Sequence, residues 1–407
     1  MEIGTRDRHI RAAVSGAYFV QGLCFATVLS QVPALKEKFG FTDDDLTLVL
    51  AAVPIVAGVG SLLAGALAPR VGSRAVLRTG GPLVCAAITA VGLVGVRPAL
   101  YVAVAALGLC LGLVDASVNM QGVAVQERYG RSIISSFHGW LSMGGIAGSL
   151  AAAGFNKLDV PLSVALASVG AFGAVIALSV GPVLLRRAEE VPVPAAPGRG
   201  SEPVGTGSAP APHIPWRPIL LIGGAVLAMY IADSATFNWS AIYLHDALHG
   251  SKSVAALGVF AYVIFQMLGR TGADRLVRRF GPAITVAAGG LVGAAGMALV
   301  VVAPTPLAGL AGFAVLGAGL CVVVPQSFSA AGALDPTGSG VAVARVNLFN
   351  YIGFVVGAIL IGAVAHGSSL RWAFGVPAVL ALVIVALARS FNVARPVVEV
   401  PVARESV

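Results

Sequence analysis

Long apolar stretches broken by short polar ones recur twelve times along this chain, centred near residues 23, 57, 86, 111, 145, 172, 230, 262, 292, 317, 352 and 380. A helix needs about 20 mostly apolar residues to cross a ~30 Å hydrocarbon core, and each stretch reaches that length. The pattern predicts an all-α membrane protein of twelve transmembrane helices.

One polar break differs from the rest. Residues 186–216 are rich in Pro, Gly and Ala and lack apolar periodicity, so they predict a disordered linker. It divides the spans six and six: an N-terminal bundle over 1–185, a C-terminal bundle over 217–390, and a tail over 391–407. A gap-free shift of 209 residues places Gly60 on Gly269, Gly72 on Gly281, Gly80 and Gly81 on Gly289 and Gly290, Gly108 on Gly317, Gly144 on Gly353, and Gly148 on Gly357. Arg70 falls on Arg279 under the same shift. One offset holding from the second span to the fifth points to a duplicated six-helix unit, and hence to two pseudo-symmetric bundles. Parallel repeats of this kind hold a substrate site at mid-depth between them. The glycines are read first as packing faces, because small residues let membrane helices approach closely.

Composition agrees with a membrane protein: 57% of residues are hydrophobic and 11% charged, where soluble domains carry roughly 25% charged residues. The net charge of +8 would suggest nucleic acid in a soluble protein. Its placement changes that reading. With the N-terminus inside, 20 of the 26 Lys and Arg residues fall in the inner loops and terminal segments, Arg270 and Arg345 being counted there as residues near or within helix ends. The positive-inside rule then places both termini in the cytoplasm of a plasma-membrane protein, and no nucleic-acid partner is needed. The first span is too long for a signal-peptide core and is read as uncleaved. The four cysteines are scattered through predicted spans, with no disulfide or metal spacing.

The segment between the second and third spans, GALAPRVGSRAVL (Gly65 to Leu77), resembles the major facilitator superfamily signature G-x-L-A-D-R-x-G-R-R at its glycines, its leucine and Arg70. The signature's aspartate is Pro69 here, whereas Asp274 and Arg275 supply such a pair in the second half. The interhelical latch that this aspartate builds in the family is therefore expected in the second half rather than the first. On the fourth span, LGLVDASVNM is similar to the G-x-x-[DE]-x-x-x-N pattern of the fucose:proton symporter family. On the fifth, SSFHGWLSMGGIAG resembles that family's F-N-x-x-x-x-x-G segment, with His138 in place of Asn. The family's first span also carries an acidic residue, about where Leu29 stands. The resemblance implies proton-coupled transport more strongly than it implies a sugar.

An ionised carboxylate at mid-bilayer costs roughly 2.5–3.5 kcal/mol on insertion scales, so such residues face a cavity or a partner. Asp115 lies near the midplane, with Asn119 one turn along the same face. Burial raises carboxylate pKa values, so an acid that alternates between water and a dry pocket can load and release a proton. Asp115 is thus a candidate coupling site; the alternative is an aspartate that only joins helices. Asp233 on the seventh span qualifies by the same argument. Nearby Asn238 and Trp239 offer an amide and a ring for a polar solute, although Trp239 also fits an interfacial anchor. On the eleventh span, Arg345 is open to three readings: counter-ion, anion ligand or snorkelling surface charge. Asn347 and Asn350 follow it. His138 maps onto Asn347 under the 209 shift and is a candidate proton relay or a packing histidine. Gln21 and Gln326 complete the candidate binding set. Gly72, Arg70, Arg74, Arg278 and Arg279, with Glu127, Asp274 and Asp335, are candidate gate residues at the inner helix ends, where solvated charge is the competing reading.

These features favour a monomeric secondary transporter that moves a small polar, sugar-like solute with protons, its first, fourth, seventh and tenth helices lining the cavity. A proton-driven exporter of drugs or secondary metabolites is the alternative. No Walker A sequence is present to point to ATP. The six histidines form no catalytic constellation, so neither enzyme activity nor a cofactor or metal is expected.

Overall fold

The computed structural model describes residues 4–41, 43–190, 214–255, 257–335 and 337–393. Twelve membrane helices follow one another as expected: α1 (Thr5–Ser30), α2 (Asp43–Val71), α3 (Ser73–Leu93), α4 (Arg97–Tyr129), α5 (Ile134–Lys157), α6 (Leu162–Val180), α7 (Trp216–Ile242), α8 (Leu257–Phe280), α9 (Pro282–Val302), α10 (Pro306–Ala333), α11 (Val341–Gly367) and α12 (Leu370–Phe391). The helix α10 is broken after Leu320 and resumes at Val323. Pro325 accounts for the break, since its ring removes a backbone donor and crowds the carbonyl four residues earlier.

Ten of the twelve are long and apolar enough to cross a membrane by composition alone. The two that fall short, α5 and α8, carry His138, Arg270 and Asp274 and pack against each other across the molecule. Their polarity is spent on the interface between bundles, which is why simple hydropathy undervalues them.

Within the first half, α1 packs on α5, α2 on α4 and α3 on α6; within the second, α7 packs on α11, α8 on α10 and α9 on α12. The same three pairings repeat, as duplication requires. The tightest approaches need glycine. A Cβ at Gly144 would lie 2.0 Å from the Phe19 carbonyl oxygen of α1. Gly72 and Gly281, 209 residues apart, precede α3 and α9 with φ of 84° and 82°, a left-handed turn that suits glycine in both halves.

The first and last described residues lie on one face, here the terminal face: Asp7 pairs with Arg128, and Val393 lines a recess with the neighbouring Glu127. Most of the expected linker and tail, 191–213 and 394–407, lie outside the described residues. The first linker residues do not behave as a free chain. Arg187–Glu190 forms a helical turn, and the buried Glu190 carboxylate accepts from the Ser73 and Arg74 amides at the start of α3 and from Gln121 of α4. A carboxylate here satisfies orphan donors and the positive end of the helix together.

Candidate functional site

Asp115 is held from two helices, α1 and α11, besides its own α4. Its Oδ1 accepts from Gln21 of α1 at 2.8 Å and from Asn119 at 3.4 Å. Its Oδ2 accepts from Asn347 and Tyr351 of α11, each at 2.8 Å. Asn347 also donates to Ser61 of α2 at 3.1 Å, and its own Oδ1 accepts from Asn350 at 2.6 Å. Tyr18 of α1 donates to the Asn119 side-chain Oδ1 at 2.7 Å. The α4 carboxylate is therefore a junction between the two halves, with Gln21, Asn119, Asn347 and Asn350 from the expected set gathered around it. The α11 residues come from outside the four helices expected to line the cavity.

A second carboxylate stands apart from this junction. Asp233 of α7 accepts from the buried Tyr262 hydroxyl on α8, which accepts in turn from Gln266 at 2.9 Å. Residues 262, 266, 270 and 274 of α8 are four apart and all buried, so one face of this helix carries a polar stripe of Tyr, Gln, Arg and Asp. Asn238 donates to the Ser234 carbonyl at 2.8 Å and is exposed, whereas the Trp239 ring lies against Gly362 of α11 with its Nε1 buried and unpartnered.

Arg270 is only 6% exposed. Its Nη1 donates to the Ser142 hydroxyl and, at 3.4 Å, to the His138 carbonyl, both on α5. The His138 ring stacks on Phe328 of α10 at 5.9 Å and tilts against Tyr18 at 5.2 Å, and its Nε2 finds no partner. Gln326 of α10 reaches Ser135 of α5 at 3.5 Å.

Toward the terminal face, Asp274 closes the junction of α8 with α5. Its carboxylate accepts from the Ser132 hydroxyl at 3.0 Å and from the Ser135 and Ser136 amides at 3.2 and 3.1 Å. Arg278 donates to the Ser132 carbonyl at 2.7 Å. The acid at this crossing, Asp274, belongs to the second half. Its counterpart carries no charge: Gly65 of α2 lies against Ala344 of α11, and a Cβ on Gly65 would come within 2.6 Å of the Ala344 Cβ. The two crossings match position by position. Ser61, Gly65, Ser135, His138 and Ser142 become Arg270, Asp274, Ala344, Asn347 and Tyr351 when 209 is added to each number. One crossing is lined by Arg and Asp, the other by Ser and Gly.

Several expected placements need correction. Arg345 is no counter-ion to either carboxylate: it sits at the terminal face, 4.4 Å over the Trp216 ring, and donates to the Ile214 carbonyl. Its long side chain lets the charge reach the surface from within a helix. Arg70 bonds the Ala66 carbonyl of its own helix, Arg74 the Gly181 and Pro182 carbonyls of its own half, and Arg279 lies exposed over Phe280. Asp335 folds onto Thr337, Ser339 and the Gly340 amide, organising the turn into α11 instead of meeting an arginine. Gly72 shapes a turn. Glu127 borders a terminal-face recess lined also by Gln126, Ser329 and Phe391. Sequence reasoning missed Arg270, Tyr262, Gln266, Tyr18 and Tyr351. The signal for the α8 residues was there as four-residue spacing, hidden because Arg270 was counted with the inner loop charges.

Two six-helix bundles with a polar junction buried at mid-depth between them define a membrane transporter of the alternating-access architecture. The chain belongs to the Major Facilitator Superfamily, whose family model matches residues 14–325 and 221–406. It is 31% identical over 379 residues to an uncharacterized MFS-type transporter of Yersinia pestis, covering 92% of this chain and 94% of that one. Among solved structures, it resembles FucP, a fucose:proton symporter, in its outward conformation, with a TM-score of 0.75 at 16% identity over 94% of this chain and 98% of that one. The proton:xylose symporter XylE gives a TM-score of 0.71 at 12% identity, over 94% and 95% of the two chains. At these identities the structures share the fold.

Proposed function

We propose that this protein is a proton-coupled secondary active transporter, working as a monomer, that moves a small polar, sugar-like solute across the cytoplasmic membrane with both termini in the cytoplasm. The carrying observation is that Asp115, on the first half, takes both Oδ2 hydrogen bonds from α11 on the second. A carboxylate accepts hydrogen bonds at both oxygens, whereas its protonated form must donate at one. Separating the halves on the terminal face removes two of them, so proton binding and half separation are linked. A proton arriving at Asp115 weakens the junction and releases the switch; leaving Asp115 ionised holds it.

With the terminal face cytoplasmic, as the placement of Lys and Arg favours, the bonds of Asp274, Arg278, Asn347 and Tyr351 close the inner side, and the conformation corresponds to an outward-facing one. The fold neighbours named as fucose:proton and proton:xylose symporters support both proton coupling and a sugar-like solute. Residues 191–213 serve as the cytoplasmic linker between the bundles.

The test is uptake into proteoliposomes carrying the purified protein, with the outside made acid and a panel of radiolabelled sugars, sugar acids and amino acids supplied. Concentrative uptake of one of them, collapsed by a protonophore, is expected. Entry that only follows the solute's own gradient and ignores the protonophore would sink proton coupling.

A further inference from the structure

Arg270 is a buried cation that makes no direct ion pair among the described residues. Among the described residues no carboxylate lies within ion-pairing distance of it, and its two bonds go to neutral oxygens of the opposite half. Its Nε is fully buried and unpartnered. The two acids nearest along the polar stripe are occupied elsewhere, Asp233 by Tyr262 and Asp274 by the start of α5. Guanidinium keeps its proton at any working pH, so Arg270 cannot relieve its burial by becoming neutral, as a lysine or histidine does. An uncompensated charge inside a membrane protein is costly and marks a pathway or a ligand.

Three further buried polar atoms lack partners on the helices around the junction: His138 Nε2 on α5, Gln21 Oε1 on α1 and Asn350 Oδ1 on α11. With Arg270 they present nitrogen atoms on the α5 and α8 side and carbonyl acceptors on the α1 and α11 side. The acceptors suit hydroxyl groups. A guanidinium suits a carboxylate, whose two oxygens match its paired N–H groups.

From this arrangement we infer that the transported solute is a hydroxylated monocarboxylate of the sugar-acid type, its carboxylate received by Arg270 and its hydroxyls by Gln21 and Asn350. The inference rests on the transport reading and names its substrate class. It also gives the crossing of α5 with α8 a role that its uncharged counterpart of α2 with α11 lacks. Only Nη1 of the guanidinium bridges to Ser142 and His138 across the closed crossing, which leaves the unpartnered Nε edge to receive the solute's carboxylate. A phosphate is a poorer match, because its second negative charge would enter beside two aspartates with a single arginine to offset it.

The experiment is a thermal-shift titration of the full-length protein in detergent with matched probes: glucuronate and gluconate, neutral glucose, cationic glucosamine, and glucose 6-phosphate. Stabilisation by the sugar acids at concentrations where glucose and glucosamine do nothing is expected, with at least a tenfold loss of apparent affinity in Arg270→Gln. Arg270→Lys, which keeps the charge but not the fork, should recover part of it. A response to neutral or cationic probes without one to the acids overturns the inference, as do silence from both acids and an Arg270→Gln protein that still binds them like the wild type. Preference for the phosphate would reassign the anion class and overturn it equally. Should Arg270→Gln fail to fold, competition by glucose against glucuronate in the wild type decides instead: equal affinity for the two leaves the carboxylate no role. Loading the acid-responsive protein into proteoliposomes separates the two readings. Binding without pH-driven accumulation sinks transport and leaves the anion site, whereas accumulation of glucose but not glucuronate does the reverse.

Discussion

Tyr351, on the second half of the molecule, donates a 2.8 Å hydrogen bond to Asp115 Oδ2, on the first. Four side-chain donors converge on this carboxylate from α1, α4 and α11. Replacing Asp115 with Asn preserves size but abolishes ionisation, and it turns one acceptor into a donor facing donors. Each lost bond to a charged group is worth about 1.5–3 kcal/mol, yet the junction is one of several between the halves, so the variant should fold. Asp115→Asn is expected to lose uphill, pH-driven accumulation while retaining solute counterflow, which needs no net proton movement. Wild-type accumulation with unchanged pH dependence would remove Asp115 as the coupling site and pass that role to Asp233.

The Asp274 latch gives a prediction about conformation instead of coupling. Its carboxylate satisfies two amides at the start of α5, and losing such a cap costs about 0.5–2 kcal/mol. Because α5 belongs to the other half, the lost energy falls on the closed terminal face and on little else. Asp274→Ala should shift the population toward the state open on that face by roughly 2–30-fold. Spin labels at Arg131 and Arg279, exposed on either side of the crossing, should report a longer distance in the variant. An unchanged distance distribution would mean that the latch does not set the equilibrium.

The fold was legible because lipid leaves few choices: apolar runs of the right length must be helices, and a single offset of 209 already revealed the duplication. The carboxylate at the junction was legible for the same reason, since charge inside a membrane is rare enough to stand out. Its partners were not. Tyr18 and Tyr351 look like ordinary apolar-span aromatics until a hydroxyl is seen to meet Asn119 or Asp115. Arg270 was misplaced because a linear count of positive charges cannot tell a helix end from a helix interior facing another bundle. Which of the many inner arginines bridge and which merely reach solvent depends on packing between halves, which no local pattern encodes.

The sidedness of the linker has its own check. A cysteine at Gly205, in a background freed of the four native cysteines, should be silent to a membrane-impermeant thiol reagent in intact cells and react fully in inverted vesicles. Labelling from outside would reverse the topology and, with it, the assignment of the closed face to the cytoplasm.

Two glycines separate packing that must hold from packing that must give. An added Cβ at Gly144 would lie 2.0 Å from the backbone oxygen of Phe19, inside the first half, where α1 and α5 move as one body. At Gly65 the added Cβ would meet the Ala344 side chain at 2.6 Å, across the boundary between halves. Overpacking costs typically 1–3 kcal/mol, but the second clash can be relieved by the motion that opens the terminal face, and the first cannot. Gly144→Ala is therefore expected to lower the melting temperature and yield of folded protein. Gly65→Ala should fold nearly normally and instead lengthen the terminal-face distance between the Arg131 and Arg279 labels, as loss of the Asp274 latch does. If Gly65→Ala destabilises the fold as severely as Gly144→Ala and leaves the label distance alone, the crossing of α2 with α11 is a fixed contact and the two halves do not part there.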